Sequence, residues 1–419
     1  MDTEIKDGSR LHYAWMVALG AVILSFFCQS TIATSSQYVS AITSELGISR
    51  AAFMITFSIR PVVALICNLL YGPISKKLGI RMILAIGIAS TVLAQVLNSF
   101  TNSLIVFYLD SILFGIALAS TGAVTVAVLI NNWFSRHQGT LIGILMASVS
   151  AGASIMTQVA VWSLNTYGWR FSYRLTAVIA LVVAIPAILL IRDKPSDKGI
   201  MPYGIELDVS DMPVGKRSEV TGVILKDAVK TKRFWLGFFG FFLIGSCVHP
   251  VFTVLPGYVT DSGLAPAAAG IVTGVAYVAA ATSKIILGKV YDRHGLISLI
   301  WISFLCFPVS SFLFYGSLTP ALLVPISAVF GVSLCAVTMV SPLFVATVFG
   351  RKDYATFAGI FVALIQGGTA LVSPLLGLTY DLTGSYKPCI LILVGVSFVG
   401  LALVLVAMRG KKYYIPGLH

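Results

Sequence analysis

Long apolar stretches recur along the whole chain, from near residue 12 to near residue 408, and are separated by short segments rich in charge, proline and glycine. A helix needs about 20 apolar residues to cross the hydrocarbon core of a membrane. The pattern therefore predicts an all-α membrane protein with twelve transmembrane helices, six on each side of one long polar segment. The predicted helices lie near residues 12–38, 50–75, 81–101, 104–134, 138–164, 169–191, 234–259, 266–290, 296–316, 319–349, 354–379 and 386–408.

The amino-acid composition supports this prediction. The chain is 58% apolar and 11% charged, whereas a soluble domain is about 45–50% apolar and about 25% charged. So few charges cannot cover the surface of a soluble protein of 419 residues. The composition excludes a cytosolic enzyme, a nucleic-acid-binding protein and a disordered protein.

The distribution of Lys and Arg predicts the orientation in the membrane. Of the 28 Lys and Arg residues, 22 lie in segments on the side of the termini, four lie on the other side, and Arg60 and Lys284 lie within helices. Cytoplasmic loops carry the excess of these cations. We therefore expect a multi-pass protein of the cell's inner (plasma) membrane with both termini in the cytoplasm. The net charge of +12 indicates topology and an affinity for anionic lipid, not a nucleic-acid partner.

One polar segment divides the chain into two similar halves. The prediction is a cytoplasmic N-terminus at 1–11, a six-helix bundle at 12–191, a cytoplasmic linker at 192–233, a second and pseudo-symmetric six-helix bundle at 234–408 and a cytoplasmic tail at 409–419. The end of the linker, VILKDAVKTKRFW, predicts a short amphipathic helix on the inner leaflet. All six cysteines fall in apolar stretches without a CxxC pair, so we expect no disulfide, metal site or cofactor.

A short motif occurs after the second helix and again after the eighth. The two copies run from Gly72 to Arg81 and from Gly288 to Gly295. They resemble the GxxxD(R/K)xG signature of the major facilitator superfamily, and the resemblance covers the whole chain. It implies two bundles that are locked and released through these turns; Lys76 stands where the family has Asp. The residues assigned to this gating motif are Gly72, Lys76, Lys77, Gly79, Arg81, Gly288, Asp292, Arg293 and Gly295, and a weaker copy runs from Gly377 through Asp381 to Gly384.

A second set of residues is similar to signatures of the monocarboxylate and oxalate/formate porters within that superfamily. They are Trp133-Phe134, Gly139, Gly143, Ala151-Gly152, Pro342, Phe349-Gly350 and the linker sequence GIMPYG. The resemblance implies a substrate-binding cation in the eighth helix. That position, an Arg in the family, is Lys284 here. The Asp that precedes it in animal members is Ala280, and a second lysine of the oxalate porter falls at Gln366.

Three charged residues lie in the hydrocarbon, away from the ends of the predicted helices, where charge is costly and indicates function. Arg60 is twelve residues from Gly72, near mid-membrane; it is either a substrate ligand or a structural cation. Lys284 is either a substrate ligand or a side chain that extends to the interface. A buried lysine, unlike an arginine, can release its proton, so Lys284 would link proton uptake to anion binding. Asp110 is a proton site, a partner for Arg60 or a solvated vestibule group.

Uncharged polar residues complete the predicted site. His249 precedes Pro250 in the seventh helix; it is either a pocket residue that carries a proton or a buried, satisfied histidine. Tyr277 lies two helical turns from Lys284 on the same face. The predicted substrate-binding residues are Lys284, Arg60, His249, Tyr277, Gln366, Tyr38 and Asn131, and the predicted proton-coupling residues are Lys284, Asp110 and His249; for Tyr38, Asn131 and Gln366, packing between helices is the alternative.

These residues predict a secondary active transporter of a small organic anion, a monocarboxylate, that works by alternating access as a monomer. Protons or a counter-anion would be its coupling partners. A drug/proton antiporter is one alternative, but such exporters need an acid in the pocket. A non-transporting sensor of the same fold is another, and it would need a larger cytoplasmic surface. No catalytic constellation indicates an enzyme.

Overall fold

The structure is a computed structural model that describes residues 12–134, 138–203, 222–315, 320–350 and 353–409. Within these ranges, twelve helices are long and apolar enough to cross a membrane, which confirms the predicted fold class. They are α1 Tyr13–Leu46, α2 Arg50–Asn68, α3 Lys77–Phe100, α4 Leu104–Ile130, α5 Ile144–Tyr167, α6 Trp169–Leu190, α7 Lys232–Asp261, α8 Ala267–Tyr291, α9 Arg293–Tyr315, α10 Leu322–Val348, α11 Thr356–Thr383 and α12 Lys387–Met408.

An even number of crossings places the start of α1 and the end of α12 on the same face. We call this the terminal face and the other the opposite face. Helices α1 to α6 form the N-terminal half, and α7 to α12 form the C-terminal half. The two halves pack against each other mainly through α2 with α11 and through α5 with α8.

The predicted end of α1 is wrong. Helix α1 continues past residue 38 to Leu46, where Gly47 ends it with φ 62°. The polar run before Leu46 looks like a loop in the sequence, yet it is helical, and hydroxyls such as that of Thr34 donate to carbonyls of their own helix. The first helical stretch of α2 ends at Leu69, and a second one begins at Tyr71 and leads to the turn at Gly79.

Two predicted loops are single-residue turns. Helical hydrogen bonding runs nearly unbroken from α2 into α3 and from α8 into α9. In each case one glycine leaves the helical conformation: Gly79 has φ 76° and ψ 163°, and Gly295 has φ 76° and ψ −178°. Glycine is required because other residues rarely adopt such values.

Helices α1, α4 and α10 are irregular near their centres. Helix α1 contains a π turn at Ser25–Gln29 and a 3₁₀ turn at Thr34–Tyr38. Helix α4 is interrupted after Ser120 and resumes at Ala123, and α10 contains a π turn at Ala336–Val340. Such irregular turns are common at functional sites within membrane helices.

Both described ends of the segment between the halves are fastened by backbone hydrogen bonds. Tyr203 donates to the carbonyl of Trp133 at the end of α4 (2.9 Å), and Val223 donates to the carbonyl of Phe349 at the end of α10 (2.9 Å). Trp133 and Phe349 are separated along the chain by the same number of positions as Gly79 and Gly295. The fastening points are therefore equivalent in the two halves. The predicted amphipathic helix is one turn, Leu225–Ala228.

Candidate functional site

The two halves meet tightly on the opposite face, around Arg50 at the start of α2. Its guanidinium binds both carboxylate oxygens of Asp261 at the end of α7 (2.5 and 3.0 Å) and the hydroxyl of Tyr386 (2.8 Å). It also stacks on the ring of Tyr380, 3.6 Å from the centroid. Burial raises the pKa of Tyr386 to about 12, so the phenol stays neutral. One side chain of the N-terminal half thus holds three residues of the other half.

The weaker copy of the glycine motif belongs to the same contact. The carboxylate of Asp381 accepts hydrogen bonds from the backbone amides of Arg50 (2.9 Å) and Ala51 (2.8 Å), the first turn of α2. A Cβ atom on Gly377 would lie 2.6 Å from the Cα of Ala51, so glycine permits this close approach. The third motif copy therefore caps a helix of the other half.

Polar contacts continue along the α5–α8 boundary. Gln158 donates to the carbonyl of Gly270 (2.7 Å), and Ser154 donates to the carbonyl of Gly274 (3.0 Å). Above them, a cavity of ≈ 430 Å³ opens between the halves on the opposite face. Its lining includes Gln37, Ser40, Ser44, Asn165 and Thr260.

Lys284 lies on this boundary, further toward the terminal face. Its ammonium donates to the hydroxyl of Ser150 (3.2 Å) and to the carbonyl of Met146 (3.4 Å), both on α5 of the other half. No ion pair between Lys284 and a carboxylate is found among the described residues. A half-buried cation thus joins the two halves with only uncharged ligands.

His249 and Cys335 are close enough to Lys284 to interact with its charge. His249 is half-buried on α7, and Cys335 is buried on α10 immediately before the π turn. Tyr277 is half-buried on α8, and its ring meets that of Phe252 edge-on at 5.0 Å. The structure therefore gathers residues of α5, α7, α8 and α10 around one cation.

Arg60 lies elsewhere, inside the N-terminal half. It is 7% exposed, and its guanidinium carbon lies 4.6 Å from the ring centroid of Phe57 and 4.5 Å from that of Phe114. Asp110, 1% exposed, lies close enough to influence the charge of Arg60, but no ion pair joins the two side chains among the described residues. Every partner that the described residues give Arg60 belongs to its own half. In the structure, Arg60 and Lys284 do not share one binding site, and Asp110 is buried instead of solvated.

Several buried polar residues of the N-terminal half, Arg60 and Asp110 among them, have side-chain atoms without a hydrogen-bond partner in the part of the chain that the structure describes. The Nε of Arg60, Oδ2 of Asp110 and both polar atoms of Asn98 are buried without a hydrogen-bond partner among the described residues. Tyr38 is fully buried in the same half and bonded to the hydroxyl of Ser172 (2.8 Å). Packing and hydrogen bonding enclose this side chain within the N-terminal half.

The remaining predicted residues are scattered. Gln366 is half-buried on α11, with its Oε1 unsatisfied. Gly288 lies on α8, near the terminal face. The side chains of Lys77, Arg81 and Arg293 lie at the turns on the terminal face. The side chains of Asn131, Gly72, Lys76 and Asp292 lie outside the described residues. No group of three or more metal-binding side chains occurs in the described ranges.

The turn at Gly79 uses an acid that sequence reasoning missed. Asp193, just after α6, accepts a hydrogen bond from the backbone amide of Arg81 (2.6 Å). Its Oδ2 occupies the space where a Cβ on Gly79 would be, at 2.2 Å. Nothing described lies within 4 Å of the same position at Gly295. A carboxylate from the end of α6 thus contacts the turn that contains Gly79.

Comparison with known proteins is consistent with this architecture. The Major Facilitator Superfamily model matches residues 18–343 and 252–416. The MFS-type transporter pynF of Aspergillus niger is 23% identical over 324 residues, which cover 76% of this chain and 70% of that protein. The gallate transporter of Pseudomonas putida is 22% identical over 304 residues, covering 68% of this chain and 67% of that protein.

Solved structures show the same fold. A mutant of the nucleoside transporter NupG superposes with a TM-score of 0.74 at 17% sequence identity. The match covers 94% of this chain and 100% of that one.

Proposed function

Because the chain belongs to the Major Facilitator Superfamily, we propose that it is a secondary active transporter of a small organic anion, a monocarboxylate like those of the monocarboxylate and oxalate/formate porters. Transport would proceed by alternating access between the two halves, in the inner membrane, with the terminal face in the cytoplasm.

The observation that carries the proposal is the environment of Lys284. An ammonium ion at the boundary of the halves has a hydroxyl and a carbonyl as ligands and no carboxylate partner among the described residues. A buried charge needs a counter-charge. A substrate carboxylate would supply it and would contact both halves at once. The activity named for the Pseudomonas putida relative, gallate transport, supports an acid as the substrate.

The contacts that join the halves on the opposite face support alternating access. Arg50, Asp261 and Asp381 join the halves there, and Gln158 and Ser154 join them nearer the middle. For a substrate to enter from the opposite face, these contacts must separate. Lys284 lies on the terminal side of them, so its site would connect with the terminal face in this conformation.

Coupling would use protons or a counter-anion. In the proton version, Lys284 takes up a proton when the carboxylate binds, which makes the loaded site neutral. His249, on the neighbouring helix α7, would carry the proton. Asp110 is enclosed with Arg60, so a coupling role for it would act through the N-terminal half.

The test is uptake by proteoliposomes of radiolabelled mono- and dicarboxylates, gallate included, with and without a pH gradient. We expect at least one carboxylate to accumulate and Lys284→Ala to reduce its uptake at least about 30-fold, because truncating one side of a buried charge pair costs about 2–5 kcal/mol. Lys387→Ala is the matched control, since Lys387 lies at the opposite face beside the ring of Tyr315. Uptake of a neutral or cationic solute, with no competition by any carboxylate, would contradict the proposal.

A further inference from the structure

A groove on the terminal face combines cationic and apolar walls. Its volume is ≈ 460 Å³, and it lies between the start of α7 and the end of α12. Lys230, Thr231 and Lys232 line one end, and Trp235, Phe239 and Leu403 line the other. None of these residues takes part in the proposed transport site.

The apolar end faces away from the protein. Trp235 is 46% exposed and Phe239 is 52% exposed, and their rings stack with centroids 6.0 Å apart. The indole nitrogen of Trp235 donates to the carbonyl of Val229 (2.8 Å), which holds the ring at the level of the lysines. Tryptophan with one polar contact is typical of the zone where lipid headgroups meet acyl chains.

The cationic end is available to an anion. Lys230 forms a 3.4 Å ion pair with Asp227, but both side chains are more than half exposed, so this pair is weak and easily exchanged. Lys232 is exposed, and Lys226, Arg233 and Arg409 add positive charge nearby. The net charge around the groove is positive, which favours an anionic headgroup over a zwitterionic one.

We propose that this groove binds one anionic phospholipid, with its phosphate between Lys230 and Lys232 and an acyl chain along Trp235, Phe239 and Leu403. The order of the lining residues along α7 matches the amphipathic shape of a lipid, because the lysines come first and the aromatic residues lie deeper in the membrane. A soluble phosphate would use the lysines but leave the exposed aromatic wall without a ligand.

The test uses the full chain in detergent micelles and the quenching of tryptophan fluorescence by brominated phosphatidylglycerol or brominated phosphatidylcholine. The difference between the wild-type chain and Trp235→Phe isolates the signal from the groove. We expect phosphatidylglycerol to quench Trp235 at a lower mole fraction than phosphatidylcholine. Lys230→Ala and Lys232→Ala should each weaken this preference about five-fold, since a lysine near an anionic surface contributes about 1 kcal/mol.

Lys387→Ala is the matched control, because Lys387 lies at the opposite face, 5.2 Å from the ring centroid of Tyr315. It should leave the quenching of Trp235 unchanged. Equal quenching by the two lipids in the wild-type chain would overturn the proposal. Relief of quenching by millimolar inorganic phosphate would also overturn it, because the site would then bind a soluble anion.

Discussion

The two buried cations of this chain differ in what surrounds them. Arg60 has two aromatic rings and a carboxylate of its own half around it, whereas Lys284 reaches across to a hydroxyl and a carbonyl of the other half. A cation with a carboxylate nearby in its own half has part of its electrostatic cost offset within the fold. A cation without one, at the boundary of the halves, is available to a substrate anion. Our proposal therefore assigns substrate recognition to Lys284 and a stabilising role to Arg60.

The largest expected effect is on stability at Arg60. Arg60→Met leaves Asp110 buried without its cation, so the protein should lose about 3–5 kcal/mol of stability. Thermal unfolding of the purified protein measures this. The double variant Arg60→Met/Asp110→Asn should recover most of the loss, because neither partner is then charged. A variant Arg60→Met with unchanged unfolding but no transport would break the comparison and place Arg60 in the substrate site.

The second prediction tests whether Lys284 stabilises the protein by itself or only through a bound substrate. A transported acid at a hundred times its dissociation constant should stabilise the wild-type protein by about 2.7 kcal/mol. Lys284→Ala should abolish that stabilisation while leaving the unfolding temperature without substrate nearly unchanged. Calorimetry with and without the acid checks both. A large loss of stability without substrate would show that Lys284 is a structural cation like Arg60.

The third prediction concerns the contacts between the halves on the opposite face. Arg50→Ala removes charge-assisted hydrogen bonds to Asp261, each contributing about 1.5–3 kcal/mol, and should shift the halves toward opening on the opposite face. A cysteine introduced at Ser44, which lines the cavity there, should then react faster with a membrane-impermeant maleimide.

The matched control is Arg170→Ala. Arg170 pairs with Glu45 on the same face, but both belong to the N-terminal half. Losing this pair should leave the labelling rate unchanged. If Arg50→Ala and Arg170→Ala behave alike, the Arg50 contacts do not control the opening of the two halves.

The smallest effect compares the two glycine turns. Alanine at either Gly79 or Gly295 is strained by about 1–3 kcal/mol, because both have φ 76°. Gly79→Ala should cost about 1 kcal/mol more, since the new methyl group displaces Asp193 from its hydrogen bond with Arg81. Unfolding temperatures of both variants test this, and equal losses would mean that Asp193 contributes nothing to the turn.

Much of the fold could be predicted from sequence because the length and recurrence of apolar stretches are direct consequences of membrane thickness. The end of α1 could not, because polar residues such as Thr34 bond to carbonyls of their own helix and are helical although the sequence there resembles a loop. Two loops were predicted too long, because one glycine, Gly79 or Gly295, is enough to reverse the chain.

The site could be predicted only in part. Charge in an apolar helix identified Arg60, Asp110 and Lys284, but sequence does not show which helices meet. The proximity of Arg60 to Asp110 and the contact of Lys284 with Ser150 arise only from tertiary packing. Arg50 and Asp193 were missed because each lies at a helix end, where a charged residue is expected and gives no signal of a special contact.

The segment that joins the halves is tied to the ends of α4 and α10, and both of those helices are irregular near their middle, at Thr121–Gly122 and at Ala336–Val340. Straightening either helix would move its end sideways and would move the attached end of the linker with it. Motion of either half would then be transmitted to the linker at equivalent points, Trp133 and Phe349.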